Sequence, residues 1–146
     1  MVVLNVFEVH EVDDELEAAV AGLLPQLSRS APKLTREQLV ALVSHPAITF
    51  LAVRVDGGPI IGILTLALFP LPTGLRAWIE DVVVDAAAAR QGAGTALTRA
   101  AMDLARAAGA RTVDLTSRPS REAANRLYQG LGFERRETNV YRYDLG

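Results

Sequence analysis

The sequence of 146 residues contains no cysteine. This absence excludes disulfide bonds and thiolate metal sites, and it leaves no thiol to act as a nucleophile. Group transfer through a covalent acyl-cysteine is excluded for the same reason. We predict no metal site from the remaining residues either.

The chain also lacks a strong positive charge and a long apolar run. Its formal net charge is −2, and Lys33 is its only lysine. Because nucleic-acid binding usually leaves a basic surface, we do not expect a nucleic acid as partner. No stretch of about 18 apolar residues exists and the N-terminus has no basic leader region, so we predict a cytoplasmic protein that does not engage a membrane.

The residues that are present have the composition of one folded domain. Half of them are hydrophobic and 22% are charged, which is ordinary for a globular protein. A chain of this length buries a sizeable core, so we expect a single domain over residues 1–146.

Hydrophobic periodicity predicts the element order β-α-α-β-β-β-α-β-α-β-β. Hairpin strands pair antiparallel, whereas the strand–helix–strand unit from Leu75 to Thr116 requires a parallel pair with a right-handed crossover. We therefore predict an α/β fold with a mixed, mostly antiparallel six- to seven-stranded sheet, a central parallel βαβ unit and helices on both faces. The predicted strands cover residues 2–9, 48–55, 60–69, 75–84, 111–116, 133–136 and 140–145.

Helix starts are marked by two polar signals near the N-terminus. Asp13 and Asp14 precede an apolar pattern with helical spacing, and they give it an acidic first turn. Thr35 and Gln38 stand in the reciprocal positions of a capping box, which predicts a second, shorter helix.

The segment from Ile79 to Ala108 combines a β-branched strand, a loop with Gly92 and Gly94, and an alanine-rich helix. Main-chain N–H groups at a helix start are unpaired and lie at the positive end of the helix dipole, so they attract an anion. Glycine allows the ligand to approach the backbone without an intervening Cβ. This loop predicts a phosphorylated ligand.

Several interpretations of the glycine loop compete. A Walker loop needs Gly-Lys-Ser/Thr, which the sequence does not contain. A dinucleotide-binding loop needs a third glycine where this chain has Leu97, although Asp114 stands near the spacing of a ribose-binding acid. Gly92 and Gly94 taken alone are also compatible with a simple tight turn.

A second segment, Ala124–Phe133, bears on which interpretation of the glycine loop is favoured. Together with the strand Val82–Asp85 and the loop Arg90–Thr95, its Leu127-Tyr128 and Leu131-Gly132-Phe133 signature resembles the GNAT superfamily of N-acetyltransferases. These enzymes transfer an acyl group from coenzyme A to an amine. The predicted element order is similar to that of the family over essentially the whole chain.

The resemblance implies a coenzyme A site. Main-chain groups of Val82, Val83 and Val84 would pair with the pantetheine arm as if it were an added strand. The Tyr128 hydroxyl would lie by the thioester sulfur. The cofactor-binding residues that we predict around the phosphates are Arg90, Gln91, Gly92, Ala93, Gly94 and Thr95, with Asn125 further along the chain.

The sequence departs from the family motif at two positions. The motif starts with Gln or Arg where this chain has Ala89, and Arg90 is the adjacent charged residue. The family often has an asparagine seven positions before the tyrosine, where this chain has Arg121; Asn125 follows one turn later.

Aminolysis of a thioester requires a neutral amine and a protonated leaving thiolate. An amine with a pKa of about 10.4 is mostly charged at neutral pH, so a base helps the reaction. We predict Glu80 as this base, because strand alternation would place it on one face with Val82 and Val84. Asp81 would point to the other face. Tyr128 is the predicted general acid.

The predicted function is an acetyl-CoA-dependent N-acetyltransferase that works by direct attack of the amine in a ternary complex. The alternative is a coenzyme A-binding sensor or partner module with little or no catalysis. The acceptor is a small-molecule or protein amine that the sequence does not identify, and residues 13–45 are expected to help shape its pocket. The oligomeric state is open, and a homodimer is one state that the sequence allows.

Overall fold

Five β-strands and four α-helices cover residues 2–146, the part of the chain that the computed structural model describes. The chain divides between Thr116 and Ser117 into two compact units. The first unit contains every strand and three helices, and the second contains the last helix. The elements are β1 (Leu4–Glu8), α1 (Asp14–Leu27), α2 (Arg36–Ser44), β2 (Ile48–Val55), β3 (Ile60–Leu71), β4 (Gly74–Val84), a short 3₁₀ turn (Ala86–Ala88), α3 (Ala93–Ala107), β5 (Val113–Asp114) and α4 (Glu122–Gly130).

The first two helices begin at the capping residues expected from the sequence. The Asp13 carboxylate accepts a hydrogen bond from the Leu16 N–H at 2.8 Å. At the start of α2, the Thr35 hydroxyl accepts from the Gln38 N–H at 3.1 Å, and the Gln38 side chain accepts from the Thr35 N–H at 2.9 Å. Each bond satisfies a donor that the helix itself leaves unpaired, so the predicted capping box is confirmed.

The five strands form one sheet in the order β1-β2-β3-β4-β5. The first three pairings are antiparallel, and β4 pairs with β5 in parallel. The mixed, mostly antiparallel α/β architecture is therefore confirmed. The parallel β4–α3–β5 unit lies at the edge of this sheet, not at its centre as predicted.

Helices cover both faces of the sheet. The α1 and α2 side chains form a hydrophobic core with one face, and α3 packs on the opposite face. At Gly62 on β3, an added Cβ would lie 3.0 Å from a Val53 methyl group, 3.2 Å from the Val83 carbonyl and 3.3 Å from a Leu97 methyl group on α3, so a side chain there would require these neighbours to shift. The core on the first face comprises Val9, Leu16, Val20, Leu23, Leu39, Val43, Phe50, Ala52, Ile60, Ile63 and Val83.

The prediction of six to seven strands is wrong for the residues described. Residues 133–136 and 140–145 form neither strand nor helix. The second segment has alternating apolar residues, but Val140, Tyr141 and Leu145 are all strongly exposed. A strand is stabilised by a hydrogen-bonded neighbour and by burial of one face, and alternation in the sequence supplies neither by itself. The first segment is also mostly charged.

Candidate functional site

A β-bulge interrupts β4 just after Glu80. Glu80 pairs with Thr65 and Val83 pairs with Ile63, so Asp81 and Val82 together lie opposite the single residue between them on β3. Asp81 has a φ of 51°, in the left-handed region that non-glycine residues rarely adopt. The extra residue shifts the alternation of side chains along the strand.

The bulge corrects the predicted orientation of Glu80. Directly paired residues of an antiparallel ladder share a face, and Thr65 and Ile63 are two residues apart on β3. Glu80 and Val83 therefore lie on one face, whereas Val84, which pairs with Gly62, lies on the other. Regular alternation had predicted that Glu80 shares its face with Val84.

The Glu80 side chain has a specific partner on its own strand. The indole N–H of Trp78 donates a hydrogen bond to Glu80 Oε1 at 2.5 Å. Trp78 stands two residues earlier, on the same face, and it is partly buried while Glu80 is exposed. The carboxylate is thus fixed at one oxygen and remains accessible to solvent.

The edge of β4 that faces β5 is open over its second half, from residue 79 to residue 84. The parallel ladder joins only Ala77 to Val113 and Trp78 to Asp114. Beyond Trp78, β4 has no strand partner on this side within residues 2–146. A bulge bends its strand and increases the local twist, which fits the separation of the two strands at this point.

The main-chain groups of Val84 point toward the open edge. Successive residues of an antiparallel strand turn their N–H and C=O groups alternately toward and away from the partner. The Asp85 N–H donates to the Ile61 carbonyl at 2.7 Å, so the groups of the preceding residue point away from β3. An extended ligand along this edge would find a donor and an acceptor there.

The junction after β4 is held by a side chain from α1. Gln26 Oε1 accepts a hydrogen bond from the Ala86 N–H at 2.9 Å, and its Nε2 group lies 3.4 Å from Asp85 Oδ1. The Asp85 carboxylate also accepts from the Ala87 N–H at 3.1 Å, which caps the 3₁₀ turn. Gln26 was not among the predicted site residues, because no local sequence pattern links it to Asp85.

The loop into α3 contains the second strained residue. Arg90 has a φ of 67°, and Asp81 and Arg90 are the two non-glycine residues with positive φ in the described chain. Such a conformation costs about 1 kcal/mol or more per residue. Both residues lie in the stretch from the end of β4 to the start of α3, and their strained conformations indicate that the surrounding structure determines its shape.

The start of α3 offers unpaired amide groups. Gly92 is the N-cap residue with φ 86°, a conformation that favours glycine, and no side chain caps the helix within the described residues. The first backbone bond of the helix runs from the Ala96 N–H to the Gly92 carbonyl at 3.0 Å. The amides of Ala93, Gly94 and Thr95 precede it, at the positive end of a 15-residue helix.

In the second unit, Tyr128 lies on α4 and packs against Phe133. Their rings meet edge to face, with centroids 5.8 Å apart. The Phe133 N–H also donates to the Tyr128 carbonyl at 3.0 Å, which closes the end of the helix. Burial raises the pKa of Tyr128, and the positive charge of Arg121 opposes this shift. A tyrosine phenol with its ordinary pKa of about 10 is already protonated at neutral pH, and the rise extends this form to higher pH.

The side-chain amide of Asn125 is engaged inside the same unit. Its Nδ2 group donates to the carbonyls of Arg118 and Arg121 at 2.9 Å and 2.8 Å. These bonds tie the preceding loop to the first turn of α4. Both amide protons are used, so the Oδ1 atom is what this side chain could offer a ligand.

The predicted site residues therefore fall into two groups. Glu80, Val82–Val84 and Arg90–Thr95 belong to one continuous segment of the first unit, and Asn125 and Tyr128 belong to the second. Trp78, the hydrogen-bond partner of Glu80, was not among the predicted site residues. Its spacing of two from Glu80 on a strand was the available signal.

A cavity of about 640 Å³ lies between α1 and residues 31–34. Ala, Leu, Val and Pro side chains form most of its lining. The carboxylates of Asp14 and Glu17 stand at its wall, and each pairs with Arg36, at 2.8 Å and 2.7 Å. The single positive charge of Arg36 balances one of these two negative charges.

Two kinds of feature were not found in residues 2–146. No helix there is both long enough and apolar enough to cross a membrane. No group of three or more His, Asp or Glu side chains is arranged so that it could hold a metal ion.

Comparison with known proteins gives a consistent family match. Residues 13–133 match the model of the acetyltransferase (GNAT) family. No curated protein sequence is significantly similar to the chain.

Solved structures show the same fold over nearly the whole chain. An acetyltransferase from Trypanosoma brucei is 26% identical, with a TM-score of 0.77, covering 97% of this chain and 99% of that one. An aminoglycoside acetyltransferase from a soil metagenome, in complex with sisomicin, is 19% identical with a TM-score of 0.84, covering 97% and 95%. The aminoglycoside N-acetyltransferase AAC(6')-Iy, in complex with coenzyme A, is 15% identical with a TM-score of 0.78, covering 100% and 97%.

Proposed function

Because the chain belongs to the GNAT acetyltransferase family, we propose that it is an N-acetyltransferase that moves an acetyl group from acetyl-coenzyme A to a primary amine. Acetyl-coenzyme A supplies the acyl group as a thioester. With no cysteine in the chain to carry the acyl group, direct attack by the amine in a ternary complex is the mechanism that fits.

The observation that carries this proposal is the open edge of β4 leading directly into the uncapped start of α3. The edge has main-chain groups of Val84 free for a pantetheine arm to pair with, in the manner of an added strand, and we propose Val82 and Val83 as its neighbours along that arm. The amides of Gln91–Thr95, with the helix dipole, suit a pyrophosphate. An extended amide-containing arm next to a diphosphate is the chemistry of coenzyme A, so the residues present fit this cosubstrate.

Arg90 is the charged residue that we propose for the first phosphate contact. It is exposed, and it directly follows Ala89, where the family has Gln or Arg. Because Arg90 has a left-handed backbone conformation, its side chain points in a different direction from that of a residue with a right-handed backbone conformation. A guanidinium group can hold two phosphate oxygens at once, which suits this role.

Glu80 is proposed as the base. Its exposed carboxylate can take a proton from the ammonium group of the acceptor, directly or through a water molecule, which leaves the neutral amine to attack the thioester. The Trp78 indole occupies Oε1, which leaves Oε2 as the proton acceptor. The bulge directly after Glu80 sets this side chain at the start of the open edge.

Tyr128 is proposed as the acid. Its phenol is protonated at neutral pH, as a tyrosine with a pKa of about 10 or above is, so the hydroxyl has a proton to give to the departing thiolate. Asn125 supports the tyrosine indirectly, since its bonds order the loop before α4. The family signature at Leu127-Tyr128 and Leu131-Gly132-Phe133 supports the same assignment.

We propose a small-molecule amine as the acceptor. The structural neighbours crystallised as aminoglycoside acetyltransferases support this class. The cytoplasmic location, the single-domain organisation, the absence of nucleic-acid, membrane and metal partners, and a homodimeric state are predictions that accompany the proposal.

A coenzyme A-binding module with little catalysis is the second candidate. Ala89 and Arg121 replace two polar residues of the family motif, and the Asn125 amide protons are already bonded within the chain. These observations favour a protein that keeps the family's fold but catalyses acetyl transfer weakly.

One paired experiment separates the two candidates. Thiol release from acetyl-coenzyme A is measured over a panel of amines, beside a thermal-shift titration with coenzyme A. The proposal expects turnover with at least one amine, together with stabilisation. Stabilisation without turnover on any amine supports the binding module. A protein that shows neither stabilisation nor turnover contradicts both candidates.

A further inference from the structure

Trp78 is the last residue of β4 that is paired on both sides. It faces Ala67 on β3 and Asp114 on β5, so its backbone is held by two ladders. Glu80 is held by β3 alone, at the point where the edge opens and the bulge begins. The Trp78 ring is thus attached to the most constrained part of the strand, and the carboxylate to a less constrained part.

An exposed carboxylate at such a position has several rotamers available. Holding it in one orientation costs side-chain entropy, and a strong hydrogen bond can offset this cost. Among residues 2–146, the indole N–H of Trp78 is the side-chain partner found for Glu80, at 2.5 Å. A neutral donor to an ionised acceptor gives the shorter and stronger class of hydrogen bond.

We infer that Trp78 is the positioning residue for Glu80: it fixes Oε1 so that Oε2 is directed to accept the proton of the acceptor amine. The inference rests on the proposed role of Glu80. An indole N–H only donates, so Trp78 itself takes no proton in the reaction. Its contribution is the orientation of a neighbouring base.

A double-mutant cycle tests this coupling in the full-length protein. Trp78→Phe keeps an aromatic ring and removes the N–H. In the wild-type background it should lower kcat about tenfold, the scale of a lost hydrogen bond to a charged group, and leave KM for acetyl-coenzyme A unchanged. In the Glu80→Gln background, where the base is already lost, the same change should alter kcat less than about twofold.

The outcomes distinguish the inference from the proposed function. If Glu80→Gln retains full kcat, Glu80 is not the base and the inference fails with that role, while the turnover itself still supports the proposed acetyltransferase function. If Glu80→Gln lowers kcat while Trp78→Phe does not, only the positioning role fails. Equal losses from Trp78→Phe in both backgrounds indicate a packing role and also overturn the inference.

Fluorescence gives a second test that does not need a Trp78 variant to fold. Trp78 is the single tryptophan of the chain, so all tryptophan emission comes from the ring that contacts Glu80. Glu80→Gln removes the charge beside the ring and should shift the emission maximum. Asp81→Asn, which neutralises the adjacent exposed carboxylate, is the matched control and should shift it much less. Equal shifts, or none with Glu80→Gln, contradict the contact.

Discussion

The two groups of candidate site residues differ in what they offer a ligand. Between Ile79 and Thr95 the molecule offers mainly main-chain groups, along an open strand edge and at an uncapped helix start. On α4 it offers one side-chain hydroxyl, that of Tyr128, set against Phe133. We therefore expect the main-chain groups of the first region to govern cofactor affinity, and the Tyr128 hydroxyl, together with the Glu80 carboxylate of the first region, to govern turnover.

The largest effect should come from removing the Tyr128 hydroxyl. Tyr128→Phe keeps the ring contact with Phe133 and removes the proposed proton donor. General acid catalysis contributes about 10²- to 10⁴-fold, so kcat should fall by about 10² or more while the Kd for coenzyme A changes little. Steady-state kinetics and calorimetry measure the two quantities.

Tyr141→Phe is the matched control in the same unit. Tyr141 is 89% exposed, and removing its hydroxyl should change neither quantity. If Tyr128→Phe turns over as fast as the control, Tyr128 is not the general acid, and the proposed difference between the two regions is wrong.

A charge at the start of α3 should have the next largest effect. Gly94→Asp places a carboxylate where the pyrophosphate is proposed to bind, and it should weaken coenzyme A binding by at least about tenfold. A negative charge in the first turn interacts favourably with the helix dipole, so we expect no loss of thermal stability from this charge. Calorimetry and thermal unfolding separate the two effects.

Gly22→Asp provides the matched control for this substitution. Gly22 lies on α1, is exposed and has open space around the position of an added Cβ. It introduces the same charge away from the α3 start, so coenzyme A affinity should be retained. If both variants bind coenzyme A as the wild type does, the loop is not the phosphate site.

A smaller effect is expected at Gln26, which supports the first region from α1. Gln26→Ala removes the bond to the Ala86 N–H and the contact with Asp85, and it should lower the free energy of unfolding by about 1 kcal/mol. Coenzyme A affinity should fall a few-fold because the junction is less ordered. Gln129→Ala, at an exposed position on α4, should change neither value in denaturant titration and calorimetry.

The smallest effect is a pH dependence of stability. Burial raises the pKa of Tyr128, so the folded protein keeps the phenol neutral at a pH where the unfolded chain begins to ionise it. The free energy of unfolding should therefore lose this contribution as the pH rises above about 10, and be unaffected below it. Tyr128→Phe should reduce the loss in denaturant titrations, whereas Tyr141→Phe should leave it as in the wild type.

Local signals in the sequence predicted much of the fold. The capping box of Thr35 and Gln38 and the glycine at the start of α3 depend on residues a few positions apart, so they could be identified without the structure. The crossover from β4 to β5 followed from the length of the connection.

Features that depend on distant pairing were not predictable in the same way. The bulge at Asp81 depends on the register between β3 and β4, and no glycine or proline marks it, so the face of Glu80 was assigned incorrectly. In residues 140–145 apolar and polar side chains alternate as in a strand, but these residues pair with no strand within residues 2–146. The contact of Gln26 with Ala86 joins residues 60 positions apart.

Amide hydrogen exchange on adding coenzyme A tests the central claim most directly, namely that the open β4 edge and the α3 start together form the cofactor site. We predict new protection at Val84 and across Gln91–Thr95, with no change at β1, the opposite edge of the sheet. Binding of coenzyme A that leaves these amides as exposed as before, or that protects other segments instead, would contradict the account.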